Sequence, residues 1–384
     1  MKRDKLLMTP GPTMLPYKVR EAMSRQILHH RTKEFEAYFS KMNDDLKRVY
    51  QTQNPVLTFA SSGTGAMEAA LVNAFSPGDK VLAISVGVFG ERFAKIAARF
   101  GLDVKLMDIP WGKGVNPEDV KTFLEGDEGK DIKGILITHN ETSTGVVNDI
   151  KAIGQLLKDK DCLLLVDAVS SLAGIEIKTD DWGLDMVITG SQKALMLPPG
   201  LAFVSVSDKA WDFIKKSKMP KFYYDFLSYK KSLSDNTTPF TPAVSLVIAA
   251  SEAMNMIIEE GLDKIFARHK NLALACRNAV TAMGLELFAE QKYASDLITS
   301  IKAPAGIEID KARGIMNLEH DIMIAEGQQH LKGKIFRIGH MGYVDCYDLL
   351  RTISALEFSL KKVGFSMELG AGVAAAQQSI DPYL

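Results

Sequence analysis

The chain is poor in the residues that would mark a disulfide scaffold, a metal cage or a charged partner. Only three cysteines occur in 384 residues, Cys162, Cys276 and Cys346, far apart and without the paired spacing of a zinc site. They read as reduced thiols, which suits a cytoplasmic compartment. Charge is nearly balanced, 46 basic against 47 acidic residues for a formal −1. No global field therefore draws nucleic acid or an anionic membrane. No apolar run is long enough to span a bilayer, and Pro10 interrupts the basic start MKRDKLLMTPGP before a signal core can form. The C-terminus carries no peroxisomal SKL-type ending. Neither a GK[ST] phosphate loop nor a GxGxxG dinucleotide fingerprint is present, which argues against P-loop and nicotinamide-dependent chemistry. What is left is an ordinary globular composition, 46% hydrophobic and 24% charged, long enough for two domains and suited to small-molecule chemistry.

Patterning divides the chain into an N-terminal arm (1–16), a large domain (17–262) and a smaller C-terminal domain (263–384). The arm holds TPGPT, irregular because two prolines and a glycine crowd it. Amphipathic helices follow from Tyr17 and from the HHRTKEF stretch through Tyr50. From Val56 to Lys193 strand, tight turn and helix alternate repeatedly, which predicts an α/β fold with a mostly parallel sheet covered by helices on both faces. LAFVSVS lies too close to the preceding strand for a helical crossover and is expected antiparallel. KFYYDFLSYKKSLSDNTTPFTPAV is polar, aromatic and punctuated by proline, and reads as a long functional loop. Two long helical segments meet at Gly261. Beyond them ELFAE, DLITSIKAP, IMIAEG and KIFRIGHMG are strand-like among helices, an α+β pattern, and the closing ELGAGVAAAQQSIDPYL reads as a peripheral helix or a frayed tail.

The chemistry is concentrated between Asp161 and Gly200. One buried strand delivers Asp167 at its C-terminal end, and a second delivers Gly190, Ser191, Gln192 and Lys193. Ligands of open α/β sheets sit beyond those strand ends. A carboxylate and a lysine there suit pyridoxal phosphate, which needs a Schiff-base amine and an anionic partner for its pyridine nitrogen. On these two residues alone, an ordinary ion pair at a sheet edge would look the same. SSGTG, between the strand VLTFA and the helix AMEAALVNAF, offers free amides to an anion, although a tight strand–helix turn needs the same glycines. Phe89 in VGVFGERF is core packing or a flat face for a planar ring. His139 ends the strand KGILITHN and reads as structural or as an acid–base group. Arg337 in FRIGHMG presents a planar guanidinium suited to a carboxylate, in a place where a surface role is the plain alternative.

VDAVSSLAG, DxWGLD and TGSQKAL, with further motifs in the expected order over most of the chain, resemble the class V aminotransferases, particularly the alanine–glyoxylate and serine–pyruvate branch. The resemblance implies the fold type I architecture of pyridoxal-phosphate transferases: a large sheet-and-helix domain, a smaller C-terminal α+β domain, and a homodimer with shared active sites to whose partner the arm crosses. It gives Lys193 and Asp167 to catalysis. Ser62, Gly63 and Thr64 are placed on the cofactor phosphate, with Gln192 beside Lys193. Phe89 and Val169 lie on the two faces of the ring, Thr142 beside its phenolic oxygen, and the loop carrying Thr238 and Thr241 reaches the neighbouring subunit's phosphate, with either threonine as the candidate because the repeated Thr-Pro leaves the register open. Arg337 anchors the substrate carboxylate, and His340 and Met341 shape the pocket. The expected reaction transfers the amino group of alanine or serine to glyoxylate or pyruvate, since no second motif-borne arginine offers itself to a distal carboxylate. A 2-aminoethylphosphonate aminotransferase and a non-catalytic structural dimer of the same fold are the alternatives. For a cysteine desulfurase, Cys162 in a strand and Cys346 at a helix start are poor nucleophiles.

Overall fold

The computed structural model describes residues 4–380; the outer ends of the N-terminal arm and of the C-terminal segment lie outside them. The first half runs β1 (Leu6–Met8), α1 (Tyr17–Ser24), α2 (Lys33–Tyr50), β2 (Val56–Ser61), α3 (Gly63–Ala74), β3 (Lys80–Ser85), α4 (Val88–Arg99), β4 (Asp103–Asp108), α5 (Pro117–Glu125), β5 (Ile132–Thr138), β6 (Asn140–Glu141), β7 (Val146–Val147), α6 (Ile150–Leu156), β8 (Leu163–Asp167) and β9 (Met186–Gly190). It continues with β10 (Gly200–Val206), α7 (Asp208–Lys216), α8 (Phe226–Leu233), α9 (Val244–Glu260), α10 (Leu262–Ala282), β11 (Ile298–Lys302), α11 (Ile309–Glu319), β12 (Ile322–Glu326), β13 (Ile335–Gly339), α12 (Cys346–Lys362) and α13 (Ala371–Ser379).

The main sheet has seven strands in the order β2-β10-β9-β8-β5-β3-β4. Pairings from β9 through β8, β5 and β3 to β4 are parallel, while β10 runs antiparallel to both β9 and β2, as its short connection demands. β8 and β9 are buried along their whole length, so LLLVD and MVITG read as unbroken apolar runs rather than alternating ones. One core on one face of this sheet gathers Phe35, Phe39, Leu164, Val166 and Met254, and one on the other gathers Phe59, Leu71, Leu163, Leu165 and Ile188. Alternate residues of β8 thus serve opposite cores, and each fully buried Leu or Val contributes about 1.5–3 kcal/mol.

A second sheet, β1-β12-β13-β11, packs its own core of Leu6, Met8, Cys276, Ile338 and Leu356. Three readings change here. The arm is not irregular throughout: Leu6–Met8 pairs in parallel with Ile322–Ile324 as an edge strand of this sheet, because two of its three side chains are buried in the sheet's core. ELFAE is not a strand; only Leu287 makes an isolated bridge, to Ile301. The stretch expected as one long loop contains α8, started by the Asp225 side chain, which accepts the Leu227 amide, and tied down by buried Phe226 and Tyr229. The C-terminal segment takes the helical alternative and packs as α13 on α10 and α12.

Candidate active site

The parallel strands end on one edge of the main sheet, and their loops close a cleft there with about 510 Å3 of empty space. Its walls include Ser62, Gly63, Thr64, Phe89, Thr142, Asp167, Val169, Gln192 and Lys193. Nine expected residues from five separate loops therefore meet at one place. Thr238, Thr241 and Arg337 are not among its walls. Thr238 is buried with its hydroxyl donating to Phe240 O at 2.6 Å, and Thr241 is exposed. Arg337 is buried and held by backbone: Nε and Nη2 donate to Glu326 O at 2.9 and 2.6 Å, and Nη1 donates to the carbonyl of the cleft residue Thr142 at 2.6 Å.

Asp167 is the last residue of β8, paired across to Thr138 on β5. One carboxylate oxygen accepts the Val169 amide at 2.9 Å and the other the Thr138 hydroxyl at 3.3 Å. Burial pushes its pKa upward against these bonds and against the nearby Lys193 and Arg92 cations. Lys193 is the counterpart. Burial lowers its pKa to about 8, with Asp167 opposing and Arg337 and Arg92 assisting. Its ammonium donates to Pro10 O, its carbonyl accepts the Thr13 hydroxyl at 2.9 Å, and a side chain on Gly11 would collide with it. Gly11, at φ +114, is thus required both by its backbone and by the lysine.

The N-terminus of α3 also walls the cleft, and there Ser62 Oγ caps the Gly65 amide at 3.2 Å. A Cβ on Gly63 would lie 2.6 Å from a Val169 methyl, so the helix start abuts Val169. Exposed amides and the helix dipole favour a phosphate there. Phe89 is in the first turn of α4, which begins at Val88 rather than near Glu91. The Phe89 and Gly90 amides are held by Glu141 Oε2 at 2.9 and 3.1 Å, while Glu141 Oε1 takes the Ser143 amide and hydroxyl at 3.1 and 2.5 Å.

Sequence reasoning missed Glu141, Arg92, Asn140, Ser170 and Met67. Arg92 has a detectable signal: it stands one turn after Phe89, with its guanidinium 4.7 Å from that ring and Nη1 3.4 Å from Thr64 Oγ1. It makes no ion pair among the described residues. Glu141 is one residue from Thr142 and Ser170 three from Asp167, but neither spacing reveals a contact. His139 is buried outside the cleft, its backbone amide donating to Asp167 O at 2.9 Å, and burial lowers its pKa to about 3. His340, also buried, meets Thr299 Oγ1 at 2.9 Å through Nε2 and does not wall the cleft.

The donor set fits pyridoxal phosphate: a buried carboxylate for the pyridine nitrogen, a lysine of lowered pKa and a helix N-terminus share one cleft. Asn140 adds a buried oxygen with no partner, on the cleft wall where a ligand would lie.

The family model described as aminotransferase class-V matches residues 6–341. The chain is 45% identical to the soluble hydrogenase small subunit of Synechococcus, over 98% of this chain and 99% of that protein. It is 38% identical to the L-aspartate–glyoxylate aminotransferase of Paracoccus denitrificans, over 96% and 94%. The crystal structure of the alanine–glyoxylate aminotransferase of Nostoc superposes with a TM-score of 0.89 at 32% identity, covering 94% of this chain and 96% of that one. The cleft and these likenesses agree on one assignment: the chain belongs to the class V aminotransferases, a pyridoxal-phosphate-dependent transaminase of fold type I.

Proposed function

We propose that this enzyme moves the amino group of a small amino acid, alanine or serine, to a small 2-oxo acid, glyoxylate or pyruvate. The observation that carries the reading is the Asp167–Lys193 arrangement, two buried groups held apart in role by their surroundings in a cleft that a helix N-terminus also walls. Glyoxylate stands in the names of both the Paracoccus and the Nostoc relatives, which supports it as acceptor. Their donors differ. Arg92 also stands in the cleft, and its contact with Thr64 Oγ1, one of the residues assigned to the phosphate, favours a role with the phosphate over one with a donor's distal carboxylate.

Bound pyridoxal phosphate supplies an electron sink and a carrier for the amino group. Asp167 would keep the pyridine nitrogen protonated. Ser62, Gly63, Thr64 and Gln192 would hold the phosphate, with Arg92 as an added cation, while Phe89 and Val169 would hold the ring and Thr142 would serve its phenolic oxygen. Lys193 holds the cofactor, then carries a proton from the donor's α-carbon as a neutral amine, a task that its lowered pKa suits. Arg337 anchors the substrate carboxylate through guanidinium hydrogens not engaged by Glu326 and Thr142.

The same reading makes the protein a homodimer with shared sites. Thr238 and Thr241 lie outside their own cleft beside Phe222, 80% exposed, and Tyr223, both of which pack on Phe240. It divides the chain after residue 262, at the positive-φ Gly261, with residues 6–8 added to the smaller unit's sheet. The unpaired cysteines suit a cytoplasmic setting, and no helix among the described residues is long and apolar enough to cross a membrane.

The test is a visible absorption spectrum of the purified protein with pyridoxal phosphate, before and after adding L-alanine, L-serine or 2-aminoethylphosphonate without an acceptor. Loss of the lysine-bound cofactor band with alanine or serine is expected. Loss with the phosphonate alone would move the assignment to that substrate, and no band at all would leave the non-catalytic dimer.

A further inference from the structure

Asn140 opens β6 at the end of the loop from β5, 2% exposed, on the cleft wall with Thr142, Ser170 and Lys193. Its hydrogen bonds determine which way its amide faces. Ser170 Oγ lies 2.8 Å from the Asn140 carbonyl oxygen, and a carbonyl only accepts, so the single Ser170 hydroxyl proton is committed there. The Ser170 oxygen can then only accept from the Asn140 side chain, which it meets at 2.9 Å; that atom must be Nδ2. Turning the amide over would set Oδ1 against an oxygen with no proton left to give. Oδ1 is therefore the remaining atom, and it is buried without a hydrogen-bond partner among the described residues. A buried acceptor left unpaired is unfavourable, so a donor from a ligand is the economical explanation.

The ligands of the proposed reaction carry few such donors. Carboxylates and glyoxylate have none when ionised, the donor's amino nitrogen is the atom handed to the cofactor and gives up its hydrogens in making that bond, the pyridine N–H belongs to Asp167, and the phosphate belongs at α3. Hydroxyl groups remain: the cofactor's phenol, for which Thr142 stands on the same wall, and a hydroxyl on the donor's side chain. We infer that Asn140 is a specificity-determining residue whose Oδ1 accepts a hydrogen bond from the side-chain hydroxyl of the amino donor, favouring serine over alanine. Alanine fills the same space and leaves the acceptor unpaired, and a site built around such a bond discriminates against the analogue that lacks the group. The inference rests on the aminotransferase reading and names its donor.

The experiment compares wild type, Asn140→Ala and Asn140→Asp as purified holoenzymes. It measures kcat/KM for L-serine and for L-alanine with glyoxylate, pyridoxal-phosphate affinity by fluorescence titration, and thermal melting. Wild type is expected to prefer serine. Asn140→Ala is expected to lose that preference by about tenfold, the worth of one neutral hydrogen bond, with cofactor affinity unchanged; Asn140→Asp, which keeps an acceptor, is expected to retain it. A wild type that turns over both donors without preferring serine overturns the inference and leaves the transaminase intact. An unchanged serine-to-alanine ratio in Asn140→Ala also overturns it, and weakened cofactor binding in that variant would identify the phenol as the hydroxyl that is read. Should Asn140→Ala fail to fold, the wild-type preference and Asn140→Asp still decide. A wild type with no cofactor band defeats the aminotransferase reading itself, a result distinct from the others.

Discussion

The rim of the main sheet and the middle of the smaller one treat the two cations proposed for the reaction in opposite ways. Lys193 stands at the end of a turn after β9, walls the cleft, and has its pKa lowered to about 8 by burial. Arg337 is the central residue of β13, paired to Ser300 and Ala325, with its guanidinium clasped by backbone carbonyls of Glu326 and Thr142. Burial lowers the Arg337 pKa to about 10, which still leaves it charged at neutral pH. A lysine that must gain and lose a proton needs desolvation and a mobile stem; an anchor that must not move needs a planar fork gripped on two sides. The comparison teaches that one chemical property, positive charge, is put to two uses by the backbone that surrounds it.

The largest expected effect lies at the rim. Lys193→Ala should reduce turnover by at least about 10^4-fold while the protein still binds cofactor weakly; steady-state rates and a binding titration check both, and retained turnover would refute the assignment. In the wild type, cofactor capture by the apoprotein should accelerate as pH rises through about 8, because only the neutral Lys193 amine attacks the aldehyde. Stopped-flow absorbance across that range reads it.

Asp167→Asn should reduce kcat by roughly 10^3-fold and yet stabilise the apoprotein at neutral pH. The sign follows from the raised pKa. Between the unfolded and folded values the folded chain holds a proton that the unfolded chain has lost, so stability falls as pH rises through that window and stays lower above it. The melting-temperature gap between variant and wild type should therefore close as pH drops below the ordinary carboxylate range.

At the second sheet, Arg337→Lys should raise KM for amino donors and oxo acids by roughly tenfold to a hundredfold, since an ammonium cannot reproduce the fork. Cofactor affinity should be unchanged, and a loss of affinity would place Arg337 on the cofactor side. The smallest effect is expected from Phe89→Leu, about 1 kcal/mol of cofactor binding from the lost ring face, measured by equilibrium titration with the spectrum otherwise preserved.

The alternation from Val56 to Lys193 was legible because buried parallel strands and amphipathic helices write their periods locally. The strand ends at Asp167 and Lys193 were legible for the same reason. The edge strand Leu6–Met8 was not, since it has three residues and pairs with a segment more than 300 positions away. ELFAE resembled a strand in composition yet found no neighbour along its length beyond one bridge. Glu141 carries no signal of its own in the sequence; only the fold brings the start of α4 to it, where it accepts the Phe89 and Gly90 amides.

By itself, the sequence determined the α/β class, the two strand-end groups of opposite charge, the glycine-bearing helix start and the three mutually distant thiols. These depend on side-chain period and turn chemistry within a few residues. Only the tertiary structure decided that five loops close one cleft, that Pro10 and Gly11 press on Lys193, that carbonyls from two other segments clasp Arg337, and that Asn140 is left with an unpaired oxygen. Burial and hydrogen-bond satisfaction are properties of everything that surrounds an atom, and most of those surroundings are remote in the chain.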